Sequence, residues 1–403
     1  MNRATANQWQ ERCLVTLYVS IIALLPFGRL AELPLLVLAG WGLVILVRQG
    51  SDIFKPRHIR LFTQVFAGMM LMTTVASLDS LWPEKSWLIT LGQVRFYLAG
   101  LVLLSHPRCV DLCRQILKVM AVLMLCWCVD AAVQAIWGRN LLGLTSYPGR
   151  LSGLFGHNVK LGPVLALFLP LVLVWVKPRN AWLRWLVIIW LLIIVVLSGT
   201  RSAWLMAAFV MLIFWWHHVR GRRLLLLGKS LLLLVIGGVL LWQFSADFQQ
   251  RIERSMQLMT GERQAIDFAL ADRLPIWQTA VNMYLEHPLN GVGPRAFRQA
   301  YERHASADDV WVAQHGKALH AHHWVLEIMA ETGTIGLLVM AWMVWLLFNA
   351  CRQRFRDPLI WPFGVALMAA LLPVVSLYSL FSSFWSICLW WMLMMLCGGL
   401  KNE

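Results

Sequence analysis

The stretch His320-Ala321-His322-His323-Trp324-Val325-Leu326-Glu327-Ile328-Met329-Ala330-Glu331-Thr332-Gly333-Thr334-Ile335-Gly336 closes the only long polar segment of an otherwise apolar chain. It then runs directly into an apolar run long enough to cross a bilayer. Ionisable groups at such a junction are costly to hold there and mark a candidate reaction site. On either side of the polar segment the chain is 59% hydrophobic, with 23 Trp and only 14% charged residues, against about 25% charge in soluble domains. The apolar runs do not alternate, so they are helices and not barrel strands. No small-residue cleavage site follows the first run, Cys13 to Phe27, which argues against a removable signal peptide.

The hydropathy predicts an all-α polytopic membrane protein of about twelve spans, near 13–28, 33–47, 61–79, 86–104, 116–138, 161–176, 185–199, 202–217, 228–246, 323–350, 358–377 and 381–398. The chain accordingly divides into spans one to nine (1–246), a polar segment carrying the site (247–322) and spans ten to twelve (323–403). The loops on one side of these spans hold twenty basic residues against five acids, an excess that equals the formal charge of the whole chain, +15. That asymmetry places those loops, and both termini, in the cytoplasm. It also explains the high pI without a nucleic-acid partner. All eight Cys lie in spans or cytoplasmic loops, so no disulfide framework holds the polar segment. Cys109-x-x-x-Cys113 after His106 is a weak metal pattern.

The polar segment faces outward, with eight basic residues and nine acids, close to neutral. Phe248–Leu258 reads as an interfacial amphipathic helix. Asp272–Tyr284 reads as a second helix, ended by a rigid turn over His287-Pro-Leu-Asn-Gly291-Val-Gly293-Pro294. Arg298–Gln314 is a candidate surface lid, which its composition does not decide, and Asp308-Asp309 reads as a solvated acid pair. Arg201, in the tight Ser198-Gly-Thr-Arg201-Ser202 hairpin, has no acid nearby in sequence, so an anion is its expected partner. Arg95, inside the fourth span, is either paired internally, with Asp130 as the expected partner, or a ligand-binding residue.

Arg201, Arg273 and the cluster His320, His322 and His323 could meet at the outer membrane face. Guanidinium forks suit phosphate, and imidazole can take a proton near neutral pH. The set fits a substrate with a diphosphate and an acceptor hydroxyl. A Gly-rich phosphate loop, an outward Asp-x-Asp pair and a Gly-x-Ser-x-Gly elbow are all absent from the sequence. His320 and His322 lack a clear third metal ligand, so no metal site is assigned. On these residues alone a transporter fits as well as an enzyme.

The order of motifs favours an enzyme. Arg150-Leu-Ser-Gly153-Leu-Phe-Gly156-His157-Asn158, Leu197-Ser-Gly-Thr-Arg201-Ser202, Arg273-Leu-Pro-Ile-Trp277 with the turn His287–Pro294, and His322 ahead of Gly333 and Gly336 resemble, in this order, motifs of the O-antigen ligase/polymerase superfamily. The match runs roughly from Arg150 to Leu347, about half the chain. His323 stands where Asn, Ser or Gln is usual. The resemblance implies a C-type glycosyltransferase architecture with one long periplasmic helical segment, in the bacterial inner membrane. It implies transfer of a glycan from undecaprenyl diphosphate to the lipid A–core oligosaccharide, with inversion and with no metal or other cofactor. Arg201 and Arg273 would hold the diphosphate, and His322 would orient or deprotonate the acceptor. Arg150, His157, Asn158, Lys160, His320, His323 and Arg95 are the candidate substrate-binding residues. A polymerase that extends the glycan on its carrier, a protein O-oligosaccharyltransferase (usually a longer chain) and a lipid-linked-sugar transporter are the competing readings.

Overall fold

The computed structural model describes residues 3–218, 242–243, 246–257, 267, 270, 272–307, 309–373 and 378–401. Among these the chain is helical, and extended pairing is limited to two isolated bridges in the loop 139–150. The helices are α1 (Arg3–Ala23), α2 (Glu32–Gln49), α3 (Arg57–Leu78), α4 (Pro83–Gly92), α5 (Val94–Ser105), α6 (Cys109–Trp137), α7 (Leu161–Val176), α8 (Ala181–Leu197) and α9 (Arg201–His218). The polar segment adds α10 (Ala246–Met256), α11 (Leu274–Glu286), α12 (Phe297–His304) and α13 (Val310–His315). The chain closes with α14 (Trp324–Cys351), α15 (Ile360–Ala370) and α16 (Ser383–Gly399).

Among the described residues, five stretches are long and apolar enough to cross a membrane: Leu25–Phe54, Arg57–Leu78, Pro83–Ser105, Cys109–Trp137 and Trp324–Cys351. Four shorter helices, α7, α8, α15 and α16, are equally apolar. The expected ninth span, 228–246, and the basic loop at Arg220–Lys229 fall almost wholly outside the described residues. The eleventh is followed only as far as 373. The fourth span is two helices, α4 and α5, meeting at Gln93, whose side chain accepts from Trp390 Nε1 at 2.9 Å.

A helix that is apolar all round must be buried all round. α7 carries no charged residue and is enclosed by α6, α8, α9 and α15. The bundle core continues through α16, where Trp391 is buried and its Nε1 donates to Tyr18 O at 2.9 Å. Arg95 bonds Glu32 with two nitrogens, at 2.9 and 3.2 Å, and its guanidinium lies over the Phe96 ring. Its partner is therefore Glu32, not Asp130. Asp130 instead accepts from Asn140 Nδ2 and Leu141 N, pinning the loop that follows α6. Gln134 does the same for Ser152 N and Gly153 N.

The polar segment has its own small core, in which Ile276, Met283, Val292, Phe297 and Tyr301 pack on Ala330 of α14. Arg298–Gln314 is thus not a surface lid: α12 and α13 are anchored by that core. Nor is Asp309 solvated. It is buried, caps α13 by accepting from Trp311 N at 2.8 Å, and also accepts from Tyr301 Oη at 3.0 Å. Asp308 lies outside the described residues.

α14 breaks at Gly333, which adopts φ 62°, ψ −160°. A break inside an apolar helix frees backbone groups that must find partners. The turn His287–Pro294 supplies them. Val292 N donates to Ala330 O and Gly293 N to Glu331 O, at 2.8 and 3.0 Å. Thr334 N and Ile335 N donate to Pro288 O and Leu289 O, at 2.8 and 3.1 Å. The two backbones approach so closely that a Cβ on Gly333 would collide with Leu289, and one on Gly291 with Glu331 and Thr332. Gly291 and Gly333 are therefore the two faces of one contact.

Candidate functional site

The strand entering α14 is held in place from its backbone outward. Ala321 O accepts from Trp277 Nε1 of α11 at 3.1 Å. His323 caps α14, its Nδ1 accepting from Leu326 N. An Asn or Ser side chain performs the same duty at a helix start, which explains how His replaces the polar residue usual there. His323 is thereby occupied locally. His322, between these two anchors, is left-handed at φ 52°, a conformation that costs a non-glycine residue about 1–2 kcal/mol. The other left-handed non-glycine residues among those described are Asp272 and Arg295, and both flank the same region. Such strain concentrates where a side chain must be aimed.

The His322 ring stands perpendicular to that of His320, with centroids 3.9 Å apart. Burial, and then the positive charge of Arg273, push the His322 imidazolium down to about 3. His320 is pushed well below the usual range by burial, then by His322, Arg295, Arg298 and Arg273. At neutral pH His320 and His322 are therefore uncharged, each with a lone pair available.

Beside them lies a group of arginines drawn from four segments. Arg273 sits just before α11 and Arg201 opens α9, so each adds to the positive end of a helix dipole. Arg254 comes from α10, and Arg150 from the loop before α7, where it lies 5.9 Å over the Tyr147 ring. Arg201 donates to Ser255 Oγ at 3.2 Å, tying α9 to α10. Arg254 pairs with Asp272 at 3.2 Å. No carboxylate among the described residues lies within ion-pair distance of Arg273. Its pKa falls to about 10, first by burial and then by repulsion from Arg201, Arg254 and Arg150. It remains charged at neutral pH. Four guanidinium groups that repel one another through a half-buried space are an arrangement suited to a multiply charged anion.

The structure therefore brings Arg150, Arg201 and Arg273 into one electrostatic neighbourhood with His320 and His322. It leaves the other sequence candidates elsewhere. Arg95 is committed to Glu32 in the bundle. His157 and Asn158 are exposed on their own turn, Asn158 Nδ2 reaching Phe155 O. Lys160 lies 4.3 Å over the Phe384 ring, near Tyr378. Tyr378 helps line a small cavity with His322, His323 and Glu327. Sequence reasoning did not single out Arg254, Arg295 or Arg298. Arg254 read as one charge on an amphipathic helix, and the near-neutral count of the segment concealed how its charges sort in space. A larger cavity, about 1050 Å³, lies at the opposite end of α14 and is lined by Arg57, His58, Arg60, Asn349, Arg354 and Lys401. It touches none of these groups.

Residues 186–341 match the family model described as O-antigen ligase. The matched region holds Arg201, Arg254, Arg273 and the three histidines, and excludes Arg95 and the loop Arg150–Lys160. The chain matches no curated protein.

Proposed function

We propose, from the match of residues 186–341 to the O-antigen ligase family model, that the chain is a glycosyltransferase that moves an O-antigen glycan from undecaprenyl diphosphate to the lipid A–core oligosaccharide. The chain sits in the bacterial inner membrane with about twelve spans, both termini in the cytoplasm, and the polar segment 247–322 in the periplasm between spans 1–246 and 323–403. The lopsided distribution of basic loops supports that orientation.

The observation that carries the reading is the convergence of Arg150, Arg201, Arg254 and Arg273 beside the uncharged His322. Arg201 and Arg273 hold the diphosphate, and Arg254 adds charge from α10. The acceptor hydroxyl oxygen attacks the anomeric carbon from the face opposite the diphosphate. As that C–O bond forms, the bond to the diphosphate oxygen breaks, and undecaprenyl diphosphate leaves with the electron pair. The configuration inverts. The hydroxyl proton passes to His322. With the donor absent, burial first and Arg273 second keep the imidazole a weak base. The bound diphosphate offsets the Arg273 part of that effect. The arginines supply the charge stabilisation of the leaving group without a divalent ion in the reaction.

The test is reconstitution of the purified chain with undecaprenyl-diphosphate-linked glycan and lipid A–core, without added divalent ion, with the products separated on a gel. Glycan on lipid A–core, lost in His322→Ala and Arg273→Ala, is the expected result. A glycan that only lengthens on its carrier makes the protein a polymerase. Movement of the intact donor across the bilayer without transfer makes it a transporter.

A further inference from the structure

A second cluster lies away from the arginines, where α11 and α12 end. Glu286 closes α11, His287 follows it, and His304 closes α12. One ligand atom from each lies within 4.8 Å of the others. His304 Nε2 is 3.2 Å from Glu286 Oε2, and His287 Nε2 is 3.9 Å from Glu286 Oε1. The His304 side chain is 1% exposed. Its Nδ1 lies 2.7 Å from Ala300 O. A carbonyl only accepts, so Nδ1 carries the proton and, in the neutral ring, Nε2 keeps the lone pair. That lone pair faces a carboxylate oxygen, acceptor against acceptor. Both His304 Nε2 and His287 Nε2 are buried and have no hydrogen-bond partner. Arg303 holds Glu286 Oε1 from the solvent side at 3.1 Å, leaving Oε2 turned toward His304.

We propose that Glu286, His287 and His304 bind a zinc ion. Two imidazole nitrogens and one carboxylate oxygen are a borderline donor set that suits zinc, whereas calcium and magnesium favour oxygen donors. Zinc–ligand bonds of about 2.0–2.1 Å put neighbouring tetrahedral ligands about 3.4 Å apart. The Glu286 Oε2–His304 Nε2 contact, at 3.2 Å, already has that spacing, and the His287 ligand atom, within 4.8 Å of the other two, closes by at most about 1.4 Å. The Nδ1–H bond to Ala300 O is the outer contact that fixes a ligating histidine in its tautomer. Water takes the fourth position. The ion takes no part in transfer. It clamps the ends of α11 and α12 across the turn whose backbone completes the broken α14.

The test uses the full chain, purified in detergent through a histidine-free tag, stripped with EDTA and titrated with zinc chloride. Bound metal is read by mass spectrometry after gel filtration, and thermal unfolding is followed with and without zinc. Glu286→Gln and His287→Asn run alongside, at positions that are not fully buried. About one zinc per chain is expected, with affinity at least about tenfold weaker in each variant. Zinc raises the unfolding midpoint of the native chain and not of the variants. Occupancy that survives Glu286→Gln would put the zinc elsewhere, at His320 and His322 for example, and overturn the proposal. So would a folded native chain that binds no zinc. A zinc-insensitive midpoint that falls as pH rises through the histidine range would make the contact an imidazolium–carboxylate pair and overturn it as well.

Discussion

The two ends of α14 both gather cations, and they treat them in opposite ways. Beyond its C-terminus the charges are exposed or partly so, and three of them are answered within the fold. Arg354 bonds Asp357 at 3.1 Å and Leu400 O at 3.2 Å. Lys401 donates to His106 O and Pro107 O, and Arg108 bonds Glu11 at 3.0 Å. Pairs of this kind are worth about 0–1 kcal/mol each. At the N-terminal end, Arg273 is half-buried, faces three other arginines, and has no carboxylate within ion-pair distance among the described residues. A count of charges does not separate the two ends. Burial without a counter-charge among the described residues does.

That contrast can be broken most directly at His322. His322→Asn removes the base yet tolerates the left-handed backbone. Transfer should fall by about 10²–10⁴ while the unfolding midpoint stays near that of the native chain. If His322→Asn transfers normally, the base lies elsewhere. Arg273→Ala should cost about 10²–10³ in turnover, the scale of a lost charge-stabilising donor. Arg273→Lys should recover only part, because an ammonium cannot grip a diphosphate with two parallel bonds. Steady-state transfer rates check both.

Gly333→Ala probes the frame that holds the two ends apart. It combines the strain of a positive-φ, glycine-only backbone conformation, about 1–3 kcal/mol, with overpacking against Leu289 of about 1–3 kcal/mol. Less folded protein and a lower midpoint in detergent are expected, and an unchanged midpoint would mean that the contact is slack. The pH response sharpens the comparison further. His322 titrates near 3 in the folded chain against 6.5 in the unfolded one. The unfolded chain therefore binds the extra proton as pH falls below about 6.5. Stability is complete above that value and is lost progressively toward pH 3. The midpoint of His322→Asn should fall less steeply over that window. Smallest of all, Arg354→Ala should change transfer by less than about twofold, as expected of an exposed pair away from the site.

Much of the frame was legible because hydropathy is local. Eleven of the twelve expected spans coincide with a helix, or with the helix pair α4–α5, among the described residues. The end of α11 followed from the Pro and Gly of the turn His287–Pro294. What was not legible depends on packing between distant segments. Asp309 read as solvated because nothing near it in sequence announces Tyr301 as its partner. Asp130 was the obvious partner for Arg95 by depth alone, yet Glu32 at the start of α2 lies closer in the fold. Arg254 joined the site only when α10 folded against α9 through Ser255. His323 was ambiguous within a run of histidines until its role as a helix cap separated it from His322.

The break at Gly333 also resets helical phase. In an unbroken α14 each residue would be turned about 100° from the last, so the direction of Glu331 would dictate that of every residue toward Cys351. Instead, Trp324–Thr332 turns Glu331 toward the start of α12, where it accepts from Arg295 N and Phe297 N. The lower half keeps a separate face for α3, with Met343 against Gly68. The two halves answer to different partners. A change of angle at the histidines need not be carried as a rotation through the membrane, and each half is free to drift in sequence without dragging the other out of register.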